Sequence, residues 1–225
     1  MCVIVYKPRK VSLPGDSVLR RCWDCNPDGA GIAWIERGHI EVRKGLMEYR
    51  ELIEFLGSKD WTSLPLVLHF RLASKGAQTP LMTHPFSIGE RNRLSYRTKK
   101  LTLFHNGTLI GFGDERISDT CDFVHWLGQL RALGAPERAL IEIVKRVGYI
   151  DKFLVLTSRK IYMIGTWFEL DGCFYSNLYW HEDSHWRLGR RKKGDDLMLS
   201  AWEKALTYDG VIVSGVETDI KKVYD

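Results

Sequence analysis

No stretch of the 225 residues is apolar for long enough to cross a bilayer, which takes about 20 consecutive residues. The first apolar run, Val3 to Tyr6, is far shorter than the core of a secretory signal. The expectation is therefore a cytoplasmic chain with no membrane association. Cysteine is sparse and odd in number: Cys2, Cys22, Cys25, Cys121 and Cys173. Five thiols without a signal segment argue against a disulfide framework. Cys22-Trp23-Asp24-Cys25 has the spacing of metal ligands, but no second Cys pair or nearby His completes a set of four. It is read as a loop near an active-site entrance. A G-x-x-x-x-G-K phosphate loop is missing, and with it the signature of an ATP-dependent synthetase. Internal repeats, low-complexity tracts, clear linkers and recognised nucleic-acid modules are missing too.

What is present suits one globular domain. Hydrophobic residues make up 44% of the chain, and the mean hydropathy of −0.22 is ordinary for a protein with a real core. Eight tryptophans fit either a tightly packed interior or an aromatic contact surface. The net charge of +5 permits an acidic partner without requiring one.

Pattern along the chain gives the elements. Strands are expected over 3–6, 31–36, 39–43 and 66–70, the second and third joined by a tight Arg37-Gly38 turn. Apolar residues at Leu46, Leu52, Ile53 and Leu56 predict a helix over 45–56, stopped by Gly57. Segments 101–105 and 108–111 flank Asn106-Gly107, a strong signal for a hairpin with a type I′ turn. Helices are expected over 118–133, with Ser118 as N-cap, and over 136–147, with Pro136 in its first turn. A hairpin over 153–165, a strand over 173–176 and a short helix over 197–206 complete the reading. Strands, then a helical block, then hairpins make an α+β order.

Cys2 is the residue with the sharpest chemical question. A cysteine freed at the N-terminus by loss of Met1 can act as a nucleophile whose general base is its own α-amine, with a pKa of about 8. The bland alternative is a quiet, half-buried strand residue. Four further segments bear on the choice: Asn26-Pro27-Asp28-Gly29-Ala30-Gly31, His69-Phe70-Arg71-Leu72-Ala73-Ser74-Lys75-Gly76, Phe104-His105-Asn106-Gly107 and Ser118-Asp119-Thr120. Thr83-His84-Pro85-Phe86 lies between the second and third.

In order and spacing this constellation resembles the class II glutamine amidotransferases, the glutaminase domains of the N-terminal-nucleophile hydrolases. Their patterns are Met-Cys-Gly-Ile, a PDGAG-like segment, His-Thr-Arg-x-Ala-Thr, Asn-x-His-Pro, His-Asn-Gly and Ser-Asp-Thr/Ser. The match runs from residue 2 to about 120 and reaches the Ser-Asn of the 165–177 stretch. The resemblance implies a four-layer αββα sandwich with antiparallel sheets, residues 1–225 forming one domain with a basic C-terminal extension from about 178. It implies Cys2 as nucleophile, Asn106 and Gly107 as oxyanion donors, Arg71 on the substrate carboxylate and Asp119 on its ammonium. Ser74 and His84 fall on the substrate side. No metal and no cofactor are implied. Val3, Phe70, Ser74, Asn26 and Pro27 depart from the family pattern, and the last two put the seating of Cys2 in question.

Other signals compete. His181-Glu182-Asp183-Ser184-His185 matches the H-E-x-x-H zinc pattern, but Asp and Ser there are poor helix formers and the motif needs a helix. The basic runs Arg91–Lys100 and Arg187–Lys193 read first as solvated loops, and second as docking surfaces for an acidic partner or nucleic acid. The leading expectation is a glutaminase that releases ammonia for a separate synthetase or ligase. The alternatives are an amidohydrolase on a γ-glutamyl or related amide, and a catalytically silent binding protein of the same fold.

Overall fold

A computed structural model describes residues 2–147, 151–181 and 220–222. In chain order the elements are β1 (Val3–Lys7), α1 (Asp16–Cys25), β2 (Ala30–Glu36), β3 (His39–Leu46), α2 (Tyr49–Gly57), β4 (Leu66–Phe70), β5 (Phe86–Ser87), β6 (Ser95–Thr98) and β7 (Thr102–Asn106). There follow α3 (Asp119–Ala132), α4 (Glu137–Val147), β8 (Lys152–Leu156), β9 (Ile161–Ile164), β10 (Trp167–Leu170), β11 (Cys173–Tyr175) and β12 (Ile220–Lys222). The architecture is α+β. One sheet has eight strands in the order β12-β10-β11-β1-β4-β2-β3-β6, and the other has four in the order β5-β7-β8-β9. Pairing is antiparallel throughout except for β10 with β12, which is parallel.

The two-residue side-chain period of the strands sorts the core into three clusters. Val3 and Val5 of β1, Ile32 of β2 and Leu66, Leu68 and Phe70 of β4 pack with Leu19 and Trp23 of α1 and Leu52 and Leu56 of α2. Their sequence neighbours Ile4, Tyr6, Ala33 and Val67 face the other way and meet Phe104, Leu154 and Leu156 of the smaller sheet. Leu103, Phe153 and Val155 point out of that sheet's far face onto Phe123 and Leu127 of α3 and Leu140 and Val144 of α4. A one-residue slip in any of these strands would exchange two cores, so the apolar pattern fixes register.

Several expectations need correction. The type I′ turn lies at Arg37-Gly38, where both residues have positive φ (50° and 72°). Neither Asn106 nor Gly107 has positive φ, and β7 pairs with β5 and β8 rather than with residues 108–111. The reason is tertiary: β8 supplies a five-residue partner that a local return strand would displace. The helix expected from residue 45 begins at Tyr49, because β3 runs on to Leu46 and Gly45 turns at φ 77°. Glu48 then caps α2 in a reciprocal box with Glu51. Cys22 and Cys25 lie in α1, not in a loop; Leu19, Cys22 and Trp23 form its buried stripe. The short strands β5, β6, β10 and β12 were not anticipated. Ser118 caps α3 as expected, accepting the Cys121 N–H on its hydroxyl. The expected helix over 197–206, residues 182–185 of the H-E-x-x-H match and the Arg187–Lys193 run lie outside the described residues. No helix among the described residues is long and apolar enough to cross a membrane.

Candidate functional site

Cys2 stands just before β1, half-buried, at the level where β4 ends. Its thiol bridges one peptide group of the segment after β4. Sγ accepts the Leu72 N–H at 3.3 Å and donates to the Leu72 carbonyl at 3.4 Å. Its own carbonyl accepts from Asn177 Nδ2 at 2.7 Å. The Asn177 Oδ1 in turn accepts the Tyr179 N–H, so the amide is fixed at both ends. These contacts seat Cys2 without any contribution from Asn26 or Pro27. Asn26 instead closes α1, its side chain donating to the Cys22 carbonyl at 2.9 Å. Burial pushes the Cys2 thiol above its ordinary pKa, against the lowering effect of its backbone hydrogen bond to Leu72. Arg71 also favours the thiolate and Asp119 disfavours it, so both charges act on this sulfur.

Arg71 follows β4 directly and is 2% exposed. Its guanidinium donates to the carbonyls of Lys75 (3.0 Å), Gly76 (3.3 Å) and Ala77 (3.0 Å). Burial lowers its pKa, and Cys2, Asp28 and Asp119 oppose that shift. Segment 71–77 is tied down on its other side as well. Asp28 accepts the Ala73 N–H at 2.8 Å, and Lys75 Nζ donates to the Phe112 carbonyl at 2.7 Å. The Gly76 N–H donates to the Asp114 carbonyl at 2.8 Å. Ser74 is exposed, with its hydroxyl 3.4 Å from that of Thr108. A cleft of about 520 Å³ opens beside this segment, lined by Ala73, Ser74, Gly76, Gln78, Asp114 and Glu115.

Asn106 closes β7, alternating with His105 so that the two side chains leave opposite faces of the smaller sheet. Asn106 Nδ2 reaches Ser176 Oγ at 2.9 Å, and that hydroxyl also accepts the Ile4 N–H at 2.9 Å. Nδ2 carries a second hydrogen beyond the one given to Ser176. His105 turns toward α3 and sits 2.9 Å from Thr120 Oγ1 through Nδ1. Asp119, the first residue of α3, accepts the Leu109 N–H (2.8 Å) on one carboxylate oxygen and the Thr120 N–H (2.7 Å) on the other. A carboxylate is favoured at a helix N-terminus.

His84 is 4% exposed, its ring tilted against His69 at a centroid distance of 4.0 Å and edge-on to Phe86. Neither ring nitrogen of His84 has a hydrogen-bond partner. His69 Nε2 lies 3.1 Å from the His105 carbonyl. Burial lowers the pKa of His69 to about 3 and that of His84 well below its ordinary value, so both rings are neutral. Segment 84–86 crosses β2 so closely that a side chain at Gly31 would meet the His84 carbonyl. Among the described residues no cluster of His, Cys, Asp and Glu can hold a metal ion. A second hollow of about 590 Å³, with Cys121 and His125 on its wall, lies beside α3.

The structure thus brings Cys2, Arg71, Asn106 and Asp119 into one region from positions more than a hundred residues apart. The sequence reading passed over Ser176 and Asn177 as individual residues, although the Ser-Asn pair was visible. Asp28 and Thr120 lie in the quoted segments without an assigned role, and Asp151 has no single-sequence signal that separates it from surface polar residues.

Comparison with known proteins gives limited help. No family model matches the sequence. An uncharacterized protein of Methanocaldococcus jannaschii is 31% identical over 111 residues, which span 48% of this chain and 29% of that protein. A similar solved structure is the glutamine phosphoribosylpyrophosphate amidotransferase from B. subtilis, with ADP and GMP bound. The similarity covers 78% of this chain and 41% of that one, at a TM-score of 0.47 and 15% identity. At those values it establishes neither fold nor function.

Proposed function

We propose that this chain is a glutaminase of the class II glutamine amidotransferase type, its three cores being those of a four-layer αββα sandwich and residues 1–225 one domain. The observation that carries this reading is the seating of the Cys2 thiol on the Leu72 peptide, next to Arg71, with Asn106 tied through Ser176 to Ile4 of the strand that follows Cys2. Glutamine presents a carboxylate, an ammonium and a γ-amide, and Arg71, Asp119 and Cys2 offer a group for each.

With Met1 removed, the Cys2 amine takes the thiol proton through a water. This step is needed because burial disfavours the thiolate. The sulfur attacks the γ-carbonyl carbon, and the second Nδ2 hydrogen of Asn106 and the Gly107 N–H receive the oxyanion. The tetrahedral intermediate collapses, the Cys2 ammonium returns a proton to the leaving nitrogen, and ammonia departs. A γ-glutamyl thioester remains on Cys2. Water, deprotonated by the same amine, cleaves it to glutamate and regenerates the thiol. Arg71 uses the donors not spent on the 75–77 carbonyls to hold the substrate carboxylate. Asp119 receives the ammonium. Ser74 borders the pocket, and His84 supports its wall through His69. The reaction so written draws on no cofactor.

The acceptor of the ammonia in this reading is a separate synthetase or ligase in the cytoplasm. Glutamate release from glutamine by the untagged protein, lost in Cys2→Ala, tests the activity. Faster turnover of a substituted γ-glutamyl amide than of glutamine would redirect the reading to an amidohydrolase.

A further inference from the structure

Gly107 has no room for a side chain, and the nearest obstruction is Asp151. A β-carbon built there meets Asp151 Oδ1 at 2.0 Å, Asp151 Cγ at 2.3 Å and Asp151 Cβ at 2.8 Å. Gly107 has ordinary negative φ, so the backbone does not demand glycine; the Asp151 carboxylate does. That carboxylate lies 3.5 Å from His105 Nε2, and the opposite ring nitrogen of His105 lies 2.9 Å from Thr120 Oγ1. The Thr120 hydroxyl reaches Asp119 Oδ1 at 3.2 Å. The ring itself is clamped, stacked on Phe153 at 4.3 Å, with its backbone carbonyl facing His69. Hydrogen bonds join His105, Thr120 and Asp119, and a 3.5 Å approach of His105 Nε2 to the Asp151 carboxylate extends this run to the back of Gly107.

We propose that Asp151 and His105 are positioning residues that set the direction of the Gly107 N–H relative to Asp119. This rests on the glutaminase reading for its catalytic consequence. The geometric part stands without it. Asp151 fills the space behind Gly107 as a side chain on Gly107 otherwise would, and His105 Nε2 stands 3.5 Å from its carboxylate. Neither residue touches substrate. Their effect falls on the step in which the oxyanion forms, where about 1 Å of misplacement costs on the order of 100-fold in rate.

The experiment is a set of variants, Asp151→Ala, Asp151→Asn and His105→Gln, read by two methods on the untagged chain. In amide NMR spectra, Asp151→Ala is expected to shift the Gly107 resonance and speed its hydrogen exchange, while Asp151→Asn, which keeps the shape, leaves it close to the parent. In glutamine turnover, Asp151→Ala and His105→Gln are expected to lower kcat about 10- to 100-fold with KM within about twofold. Asp151→Asn is expected to recover most of that loss. Should Asp151→Ala fail to fold, Asp151→Gly combined with Gly107→Ala replaces it, because that pair removes the obstruction and puts the missing bulk on the other residue. An unmoved Gly107 amide in Asp151→Ala overturns the proposal whether or not glutamine is the substrate. A parallel rise of KM and fall of kcat with general loss of stability overturns it as well. A parent protein inactive on glutamine whose Gly107 amide still responds sinks the glutaminase reading and leaves the positioning standing.

Discussion

The side chain of Asn106 donates to the hydroxyl of Ser176 at 2.9 Å, and that hydroxyl also accepts the backbone N–H of Ile4. The contact ties the end of β7 in the smaller sheet to β1 and the segment after β11 in the larger one. It therefore fixes a proposed oxyanion donor relative to the strand that follows Cys2.

Ser176 is fully buried, and replacing it leaves two donors without their acceptor. Ser176→Ala is expected to lower unfolding free energy by about 1–3 kcal/mol in urea denaturation. It should also lower glutamine turnover by freeing the Asn106 amide to rotate. Unchanged stability would mean that water replaces the hydroxyl.

Asn106→Ala removes one proposed oxyanion donor and is expected to cut kcat about 100- to 1000-fold. KM should change little, since the ground-state carbonyl gains less from the donor than the oxyanion does. Single-turnover kinetics with glutamine separates the two quantities.

Arg71 holds three backbone carbonyls as well as facing the proposed substrate carboxylate. Arg71→Ala is thus expected to raise KM and to loosen residues 75–77 together, the latter visible as faster amide exchange in that segment. Arg71→Lys restores charge without the planar fork and should recover little of either. A KM effect with unchanged exchange would assign Arg71 to substrate alone.

The buried histidines give an acid limit to stability. His69 is held neutral down to about pH 3 in the fold, whereas an unfolded histidine takes up a proton near 6.5. Between these values the unfolded chain binds the extra proton, so stability falls as pH drops from about 6.5 toward 3. The slope is about 1.4 kcal/mol per pH unit for such a histidine. His84 shifts in the same direction and steepens the fall. His84→Phe is expected to flatten the acid limb of a plot of urea midpoint against pH.

Lys44 behaves oppositely in range but not in sign. Burial lowers its pKa from 10.5 to about 7, with Nζ donating to the Leu81 and Pro85 carbonyls. The unfolded chain binds the extra proton between about pH 7 and 10.5, so stability rises with pH across that window. Lys44→Met should remove this alkaline gain, and an unchanged pH profile would place the amine in contact with solvent.

Strand and helix positions were legible where one face of the element is apolar and the other polar, as in β3 and α4, or where a short run is apolar on both faces, as in β1. The I′ signal at Asn106-Gly107 misled because local turn chemistry yields to a longer strand partner, here β8. Cys22 and Cys25, read as part of a loop, lie in α1, where Leu19, Cys22 and Trp23 form its buried stripe. The proposed site residues Cys2, Arg71, Asn106 and Asp119 rest on motif order. Asp151 was not legible, since its role rests on the space Gly107 leaves, and that is a property of packing alone.

The measurement that tests the central claim most directly is intact mass and peptide mapping after treatment with 6-diazo-5-oxo-norleucine, a glutamine-like electrophile. The account predicts a chain lacking Met1 that gains one adduct, on Cys2, protected by glutamine. The buried Cys22 and Cys173 should stay unmodified, because the reagent cannot reach them in the folded chain. An unmodified Cys2, or a retained Met1 on the active protein, would contradict it.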